Sequence, residues 1–479
     1  MTTSHLIALL PLIILAAASV LLMLVVAIKR NHRLVFAVSL AGIAAAFASL
    51  WPLARMGTRT IGSLLVIDSF SLFYMGLLLP TAAVVVLFAY DYLERQHEHK
   101  EEFYILVLLA TLGGMTLVAS NHFASFLLGL EVLSVALYSL IAYLRTGSLP
   151  LEAGIKYLVL ASSSAAFLLF GMALIYEQVG SLQFGYIAAM FTRPQPGVQP
   201  AIFFAGAALL FTGVGFKLAL VPFHLWTPDV YEGAPLPVTV LIATVSKASV
   251  FGLLLRWIHP FSHPGSPLWT VLAISAIASM LAGNLLALLQ TNVKRLLAYS
   301  SIAHMGYFLV ALLAGGAFGL QAATYYLIAY LVTISGAFGV LTMLSTGDEE
   351  CCEIEDYRGL FWRRPVVAGV FTAMLFSLAG IPLTAGFLGK FYVIAAGASS
   401  ASWGLILTLI VSSVIGLFYY LRVVGALYAP APGAITSERS ASLFASRFGL
   451  GALTVLLVCF GIWPGVLWPA LTAAANSLR

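Results

Sequence analysis

The sequence predicts an all-α integral membrane protein. Three observations carry that reading: the composition, the length of the apolar runs and their continuity. Of 479 residues, 61% are hydrophobic and 9% charged, with a mean hydropathy of +1.03. A soluble domain carries roughly 25% charged residues. In lipid every backbone polar group must be satisfied internally, so only helices or a closed barrel can span it. Barrel strands alternate over about ten residues. Here the apolar runs are unbroken and about twenty residues or longer, the length a crossing helix needs.

About fourteen spans follow one another, at 4–28, 34–54, 70–92, 103–120, 122–144, 151–177, 200–226, 235–258, 267–290, 294–314, 319–346, 365–397, 402–428 and 447–471. The first run, Leu6 to Ile28, is too long for a signal-peptide core and lacks a basic leader, so it reads as a retained span. The longest polar connections are Gly180–Pro200 and Gly347–Arg364. The chain divides into spans 1–3 (residues 1–102), spans 4–8 (103–258), spans 9–13 (259–428) and span 14 (429–479).

Lysine and arginine bias sets orientation. Connections after odd-numbered spans carry Lys29, Arg30, Arg33, Arg95, Lys100, Arg145, Lys294, Arg295, Arg358, Arg363, Arg364, Arg439 and Arg447. The other face carries Arg55, Arg59, Arg193, Arg256 and Arg479. The odd connections are therefore expected in the cytoplasm and both termini outside. The net charge of +5 forms no basic stripe of the kind nucleic-acid binding needs. Cys351, Cys352 and Cys459 lack the spacing of an iron–sulfur or zinc site. No glycine-rich motif is present to hold a nucleotide.

An internal repeat is legible. Leu151-Glu-Ala-Gly-Ile-Lys-Tyr-Leu158 aligns with Leu320-Gln-Ala-Ala-Thr-Tyr-Tyr-Leu327, and Leu210-Phe-Thr-x-x-Gly215 with Leu375-Phe-Ser-x-x-Gly380. A five-span shift reverses direction across the membrane, so the expectation is two inverted five-helix repeats. Inverted repeats with interrupted helices are typical of transporters. The interruptions are visible in span 7, around Gly215, Lys217, Pro222 and His224, and in span 12, around Gly380, Pro382, Gly386 and Lys390. Proline removes a backbone donor, and such breaks are tolerated at membrane depth where they line a polar cavity.

Five ionisable residues fall inside apolar spans: Glu131, Lys156, Lys217, Lys247 and Lys390. A charge at the bilayer centre costs roughly 2.5–3.5 kcal/mol on insertion scales, so a set of five implies a use. The bland alternatives are snorkelling to the interface, weightiest for Lys156 near the start of its span, and a fixed ion pair for Glu131. Burial disfavours a lysine's charged form and a nearby carboxylate favours it. A pair of Glu131 and Lys217 would therefore make a proton site switched by separation, with water bridging the gaps between lysines. Lys390, beside its break, is expected to face a hydrated cavity. His224 and His304 are candidate relays, since histidine titrates near neutrality, or else packing histidines. Asp229 and Glu232 read as shaping the connection after span 7. The acidic run from Asp348 to Asp356 reads as a solvated loop or a partner contact.

The segment Phe216-Lys-Leu-Ala-Leu-Val-Pro-Phe-His-Leu-Trp-Thr-Pro-Asp-Val-Tyr-Glu-Gly-Ala-Pro235 resembles the most diagnostic stretch of the antiporter-like subunits of respiratory complex I. So do Gln290-Thr-Asn-Val-Lys-Arg-Leu-Leu-Ala-Tyr-Ser-Ser-Ile-Ala-His-Met-Gly306 and Ala379-Gly-Ile-Pro-Leu-Thr-Ala-Gly-Phe-Leu-Gly-Lys-Phe-Tyr392. The resemblance covers essentially the whole chain and is nearest to subunit N of bacterial NADH–quinone oxidoreductase. It implies a proton-translocating subunit of the membrane arm in a bacterial inner membrane, driven by quinone reduction elsewhere in the complex. It implies neighbouring antiporter-like and small membrane subunits and lipid as partners. Flavin and iron–sulfur clusters belong to partner subunits, with no cofactor in this chain. Carried over by motif, Glu131 and Lys217 form a pair, Lys247 is the central relay and Lys390 faces the exit. Lys156 matches a lysine of less certain purpose. The competing readings are a subunit of a multisubunit cation/proton antiporter, a self-contained solute transporter and a scaffold. No polar cluster beyond the lysines supports the transporter, and the buried lysines argue against the scaffold.

Overall fold

Hydrocarbon offers a backbone amide no water, and the chain is helical almost throughout. A computed structural model describes residues 3–96, 100–144, 147–192, 199–258, 265–345, 350–430 and 444–478. The helices of the first half are α1 (Leu10–Ile28), α2 (His32–Leu53), α3 (Ser69–Glu94), α4 (Glu101–Ala119), α5 (Phe123–Ile141), α6 (Ser148–Val179) and α7 (Pro200–Leu218). The second half holds α8 (Leu236–Trp257), α9 (Pro267–Leu288), α10 (Val293–Ala314), α11 (Gly316–Leu344), α12 (Pro365–Ala379), α13 (Ala385–Ser399), α14 (Trp403–Tyr428) and α15 (Phe444–Ile462). Thirteen of these are long and apolar enough to cross a membrane. The two shorter ones, α12 and α13, are the halves of the interrupted twelfth span. The expected fourteen spans thus all have counterparts, and the chain is a multi-pass membrane protein.

Two boundaries and one connection differ from expectation. The seventh span stops at Leu218 rather than 226, because Ala219 turns left-handed at φ 60°. The last span stops at Ile462, where Pro464 opens a short 3₁₀ turn, and a separate helix follows at Trp468–Asn476. Between α2 and α3 lies an unanticipated antiparallel hairpin, β1 (Arg59–Ile61) with β2 (Leu65–Ile67), in the register Thr60 opposite Val66.

The centre of the molecule is built from α8, α10 and α11. The most apolar stretch of α8 is wholly buried, and those of α10 and α11 nearly so. A helix that is apolar all round belongs in such a place. The outer helices α1, α6 and α15 present exposed Leu21, Leu24, Val159, Phe170 and Val455, a surface matched to lipid or to other apolar helices.

Two cations read from sequence as face charges lie inside instead. Arg256, near the end of α8, grips Asp68 with two bonds of 2.9 and 2.8 Å and lies 4.8 Å from the Phe70 ring centre. Asp68 also caps α3, accepting from Ser71 N at 2.8 Å. Lys294, in the first turn of α10, has no exposed side-chain surface. One cation is removed from each face, so the asymmetry used for orientation persists.

Candidate functional site

The first titratable cluster sits where α7 ends. With Ala219 left-handed, Leu220 N bonds Gly215 O at 2.8 Å, and Trp226 Nε1 donates to Phe216 O at 2.9 Å. These bonds satisfy carbonyls that a terminating helix orphans. Lys217 projects from this last turn into the core. Its Nζ donates to Ser134 Oγ at 2.6 Å and Tyr157 OH at 3.1 Å, and it lies 5.0 Å from the Tyr157 ring centre. Glu131 is half-buried on α5, about one turn before Ser134. No ion pair joins it to Lys217 among the described residues. Ser134 and Tyr157 hold the ammonium here, so the structure shows the two members of the expected switchable pair apart.

The second cluster lies on the central helices. A single π-helical turn, Ile242–Ser246, immediately precedes Lys247. Such turns insert a residue and recur at functional sites. Lys247 is wholly buried, donates to Ser301 Oγ at 2.6 Å and lies 5.6 Å from the Tyr231 ring centre. Ser301 also bonds Tyr330 OH at 2.6 Å and reaches Tyr231 OH at 3.5 Å. Nearly one turn further along α10, His304 Nδ1 bonds Tyr326 OH at 2.6 Å and Nε2 reaches Tyr420 OH at 3.3 Å. Its ring packs 5.4 Å from the Tyr330 ring, whose hydroxyl bonds the Ser301 that holds Lys247, and 5.4 Å from the Tyr307 ring, which Lys390 approaches at 5.3 Å, so His304 touches a neighbour of each lysine.

The third cluster explains the break between α12 and α13. Gly380 is left-handed at φ 84°, and α12 ends at Ala379. Lys390, one turn and a half into α13, points back at that end. Its Nζ donates to Leu378 O and Ala379 O, both at 2.9 Å, and to Ser413 Oγ at 2.8 Å. An ammonium has three hydrogens, and all three are taken. Carbonyls at a helix C-terminus carry the negative end of its dipole. The broken helix thus supplies a cage of protein oxygens for the ammonium. Close packing enforces this shape, because a Cβ on Gly386 would lie 1.9 Å from Ser377 O.

The remaining candidates lie apart from these clusters. Lys156 is exposed and bonded to Glu152 at 2.7 Å and Asp229 at 2.8 Å. Asp229 and Glu232 share Arg295, at 2.9 and 2.7 Å, so they do shape the connection after α7. His224 is buried between α7 and α8, and no hydrogen bond joins it to a lysine among the described residues. Glu350, from the run read as solvated, instead folds inward onto Lys294 at 2.7 Å.

Sequence reasoning missed the tyrosines and serines that hold the titratable groups. The repeat alignment contained one signal, since it sets Tyr157 opposite Tyr326. The first bonds Lys217 and the second His304.

Residues 120–416 match the family model described as NADH:quinone oxidoreductase/Mrp antiporter, TM. That stretch is well over half of the chain and includes Glu131, Lys217, Lys247, His304 and Lys390. The chain belongs to this family. Among solved structures, a chain of respiratory complex I from Thermus thermophilus with bound Aureothin is 36% identical, with TM-score 0.83, over 97% of this chain and 99% of that one. A chain of the archaeal membrane-bound sulfane sulfur reductase is 23% identical, covers 98% and 97%, and has a TM-score of 0.86. A chain of the Mrp complex from Dietzia sp. DQ12-45-1b is 21% identical, covers 100% and 98%, and has a TM-score of 0.84. The last two likenesses concern the fold. This protein is accordingly an antiporter-like, proton-translocating membrane subunit, and its relatives stand in multisubunit complexes. In that light the buried lysines and His304 are the groups to examine for proton transfer.

Proposed function

We propose that this chain is the subunit N counterpart in the membrane arm of a bacterial NADH–quinone oxidoreductase. It passes protons along Lys217, Lys247, His304 and Lys390 while partner subunits carry out the redox chemistry. One contrast among the lysines carries the reading. Lys217, Lys247 and Lys390 are buried and held by hydroxyls or carbonyls, with no carboxylate in contact among the described residues. Lys156 and Lys294 are each bonded to a carboxylate. An ion pair fixes charge in place, whereas a hydroxyl or carbonyl holds an ammonium and lets the neutral amine remain. The three unpaired lysines suit proton exchange, and the paired ones suit structure. The serine and tyrosine hydroxyls between them both donate and accept, so they can hand protons on, with water completing the gaps. Glu131 tunes Lys217 from a distance, and no flavin, iron–sulfur cluster or metal is needed in this chain.

The same reading places the chain in the bacterial inner membrane, with the faces rich in lysine and arginine in the cytoplasm and both termini in the periplasm. It divides the chain into three leading helices, two inverted five-helix repeats and a closing helix. The likeness to the Mrp chain favours a second reading, a multisubunit cation/proton antiporter subunit. Co-purification with iron–sulfur subunits separates the two.

The test is substitution by methionine in the assembled complex, reading proton pumping and quinone reduction in membranes. Lys217→Met, Lys247→Met and Lys390→Met are expected to lose most of both, and Lys156→Met to keep them. Normal pumping by the first three, with assembly verified on native gels, would overturn the proposal.

A further inference from the structure

The proton reading leaves unused a buried ionic group at the start of α8 and α10, the helices whose middle carries the relay. Lys294 Nζ donates to Glu350 Oε2 at 2.7 Å and to Ala234 O at 2.8 Å. The other carboxylate oxygen of Glu350 accepts from Tyr92 OH at 2.7 Å and from Leu236 N at 3.2 Å. The side chain of Lys294 is fully buried, although a cavity of about 600 Å³ lined by Glu232, Asn292 and Glu350 opens beside the pair. This is not a surface ion pair of the kind that contributes little.

The pair joins four elements at once. Tyr92 belongs to α3, Leu236 is the first residue of α8, Lys294 lies in the first turn of α10, and Glu350 follows α11. The Glu350 carboxylate therefore sits at the positive end of α8, where an anion is favoured. Backbone bonds hold the Glu350 segment to the start of α10 as well, from Val293 N to Cys352 O at 2.6 Å and from Ile354 N to Thr291 O at 3.0 Å. The helices so tied carry the middle of the relay: Lys247 on α8, Ser301 and His304 on α10, and Tyr326 and Tyr330 on α11.

Lever arms decide what such a tie can do. Lys247 follows Leu236 by eleven residues, about 16 Å of helix, and Ser301 follows Lys294 by seven, about 10 Å. Between the tie and Lys247 lies the π-helical turn Ile242–Ser246. A π turn holds one residue more than an α turn, and if it moves along the helix, every side chain beyond it changes rotation and rise. For a given position of that turn, tying the starts of α8 and α10 to one another holds the register of Lys247 against Ser301.

We infer that Glu350 and Lys294 are a positioning pair for proton transfer, setting from the start of α8 and α10 the contact between Lys247 and Ser301. The inference rests on the reading of Lys247 as a relay group.

Stability and positioning can be separated, because replacing both members of a buried ion pair by neutral residues is often neutral for stability, while removing one leaves an unpaired charge. In the whole complex, the double variant Lys294→Met/Glu350→Gln should assemble. Its turnover per complex should fall severalfold and its solvent deuterium isotope effect on quinone reduction should rise, as proton transfer becomes limiting. Glu350→Asp keeps the charge and shortens the reach by one methylene; it should assemble and show an intermediate loss with a raised isotope effect. The inference is overturned if either variant assembles with wild-type turnover and isotope effect, which decides the matter even where the double variant fails to assemble. Lys247→Met in the same membranes is the control. If it pumps normally, the relay itself falls; if it is dead while the pair variants are normal, only the positioning role falls.

Discussion

At the scale of single residues, each unpaired lysine stands beside a serine and a tyrosine: Ser134 and Tyr157 at Lys217, Ser301 and Tyr231 at Lys247, Ser413 and Tyr307 at Lys390. The aromatic face attracts the ammonium without fixing it as a carboxylate would. Lys390 offers the sharpest test of whether charge or proton release matters. Arginine keeps a positive charge but does not deprotonate in proteins, its pKa staying above about 12. Lys390→Arg is therefore expected to assemble and pump poorly, whereas Lys390→His, which can titrate, should retain more activity. Pumping and quinone reductase assays in membranes check this, with native gels for assembly. Full pumping by the arginine variant would leave Lys390 a fixed charge outside the path.

At the scale of elements, the interruptions were legible and their use was not. Glycines and prolines beside a lysine announce a broken helix, because proline removes a donor and glycine accepts φ of either sign. That Lys390 turns back to fill the orphaned carbonyls of α12 depends on the approach of two half-helices, which no local pattern encodes. The π turn before Lys247 was equally silent, since Ile242–Ser246 reads as an ordinary apolar stretch. Lys294 and Glu350 misled for a related reason: both flank polar connections, and only tertiary packing shows that the connection folds inward. The break itself can be tested through Gly386, whose backbone packs against Ser377 O with no room for a side chain. Gly386→Ala must push the two halves apart, at a cost of about 1–3 kcal/mol or more, as overpacking a filled interior does. Lower assembly or a lowered melting temperature of the complex is expected, with pumping per assembled complex also reduced because the Lys390 cage is displaced. An unchanged variant would mean that α12 and α13 are held less tightly than this packing requires.

At the scale of the whole molecule, fold class, span number and family were legible because composition and helix length leave few alternatives in lipid. The hydrogen-bonded arrangement of the relay was not, because serine and tyrosine are common in such helices and gain meaning only by proximity. The whole chain also lacks a glycine-rich nucleotide motif and the cysteine spacing of an iron–sulfur site. Under the proposed function its proton steps draw on free energy released in partner subunits. Chemistry and transport are then separable. Purified by itself in detergent or vesicles, the chain is expected to oxidise no NADH with any quinone added. The intact complex, assayed alongside, should do so and pump, and lose both when the relay lysines are replaced. The sharper comparison is between a complex lacking this subunit and one carrying Lys247→Met. The first should lose proton transfer through this chain together with its structural support; the second should keep assembly and lose transfer alone. NADH oxidation that survives removal of every partner would contradict the assignment, since it would place redox chemistry in a chain proposed only to move protons.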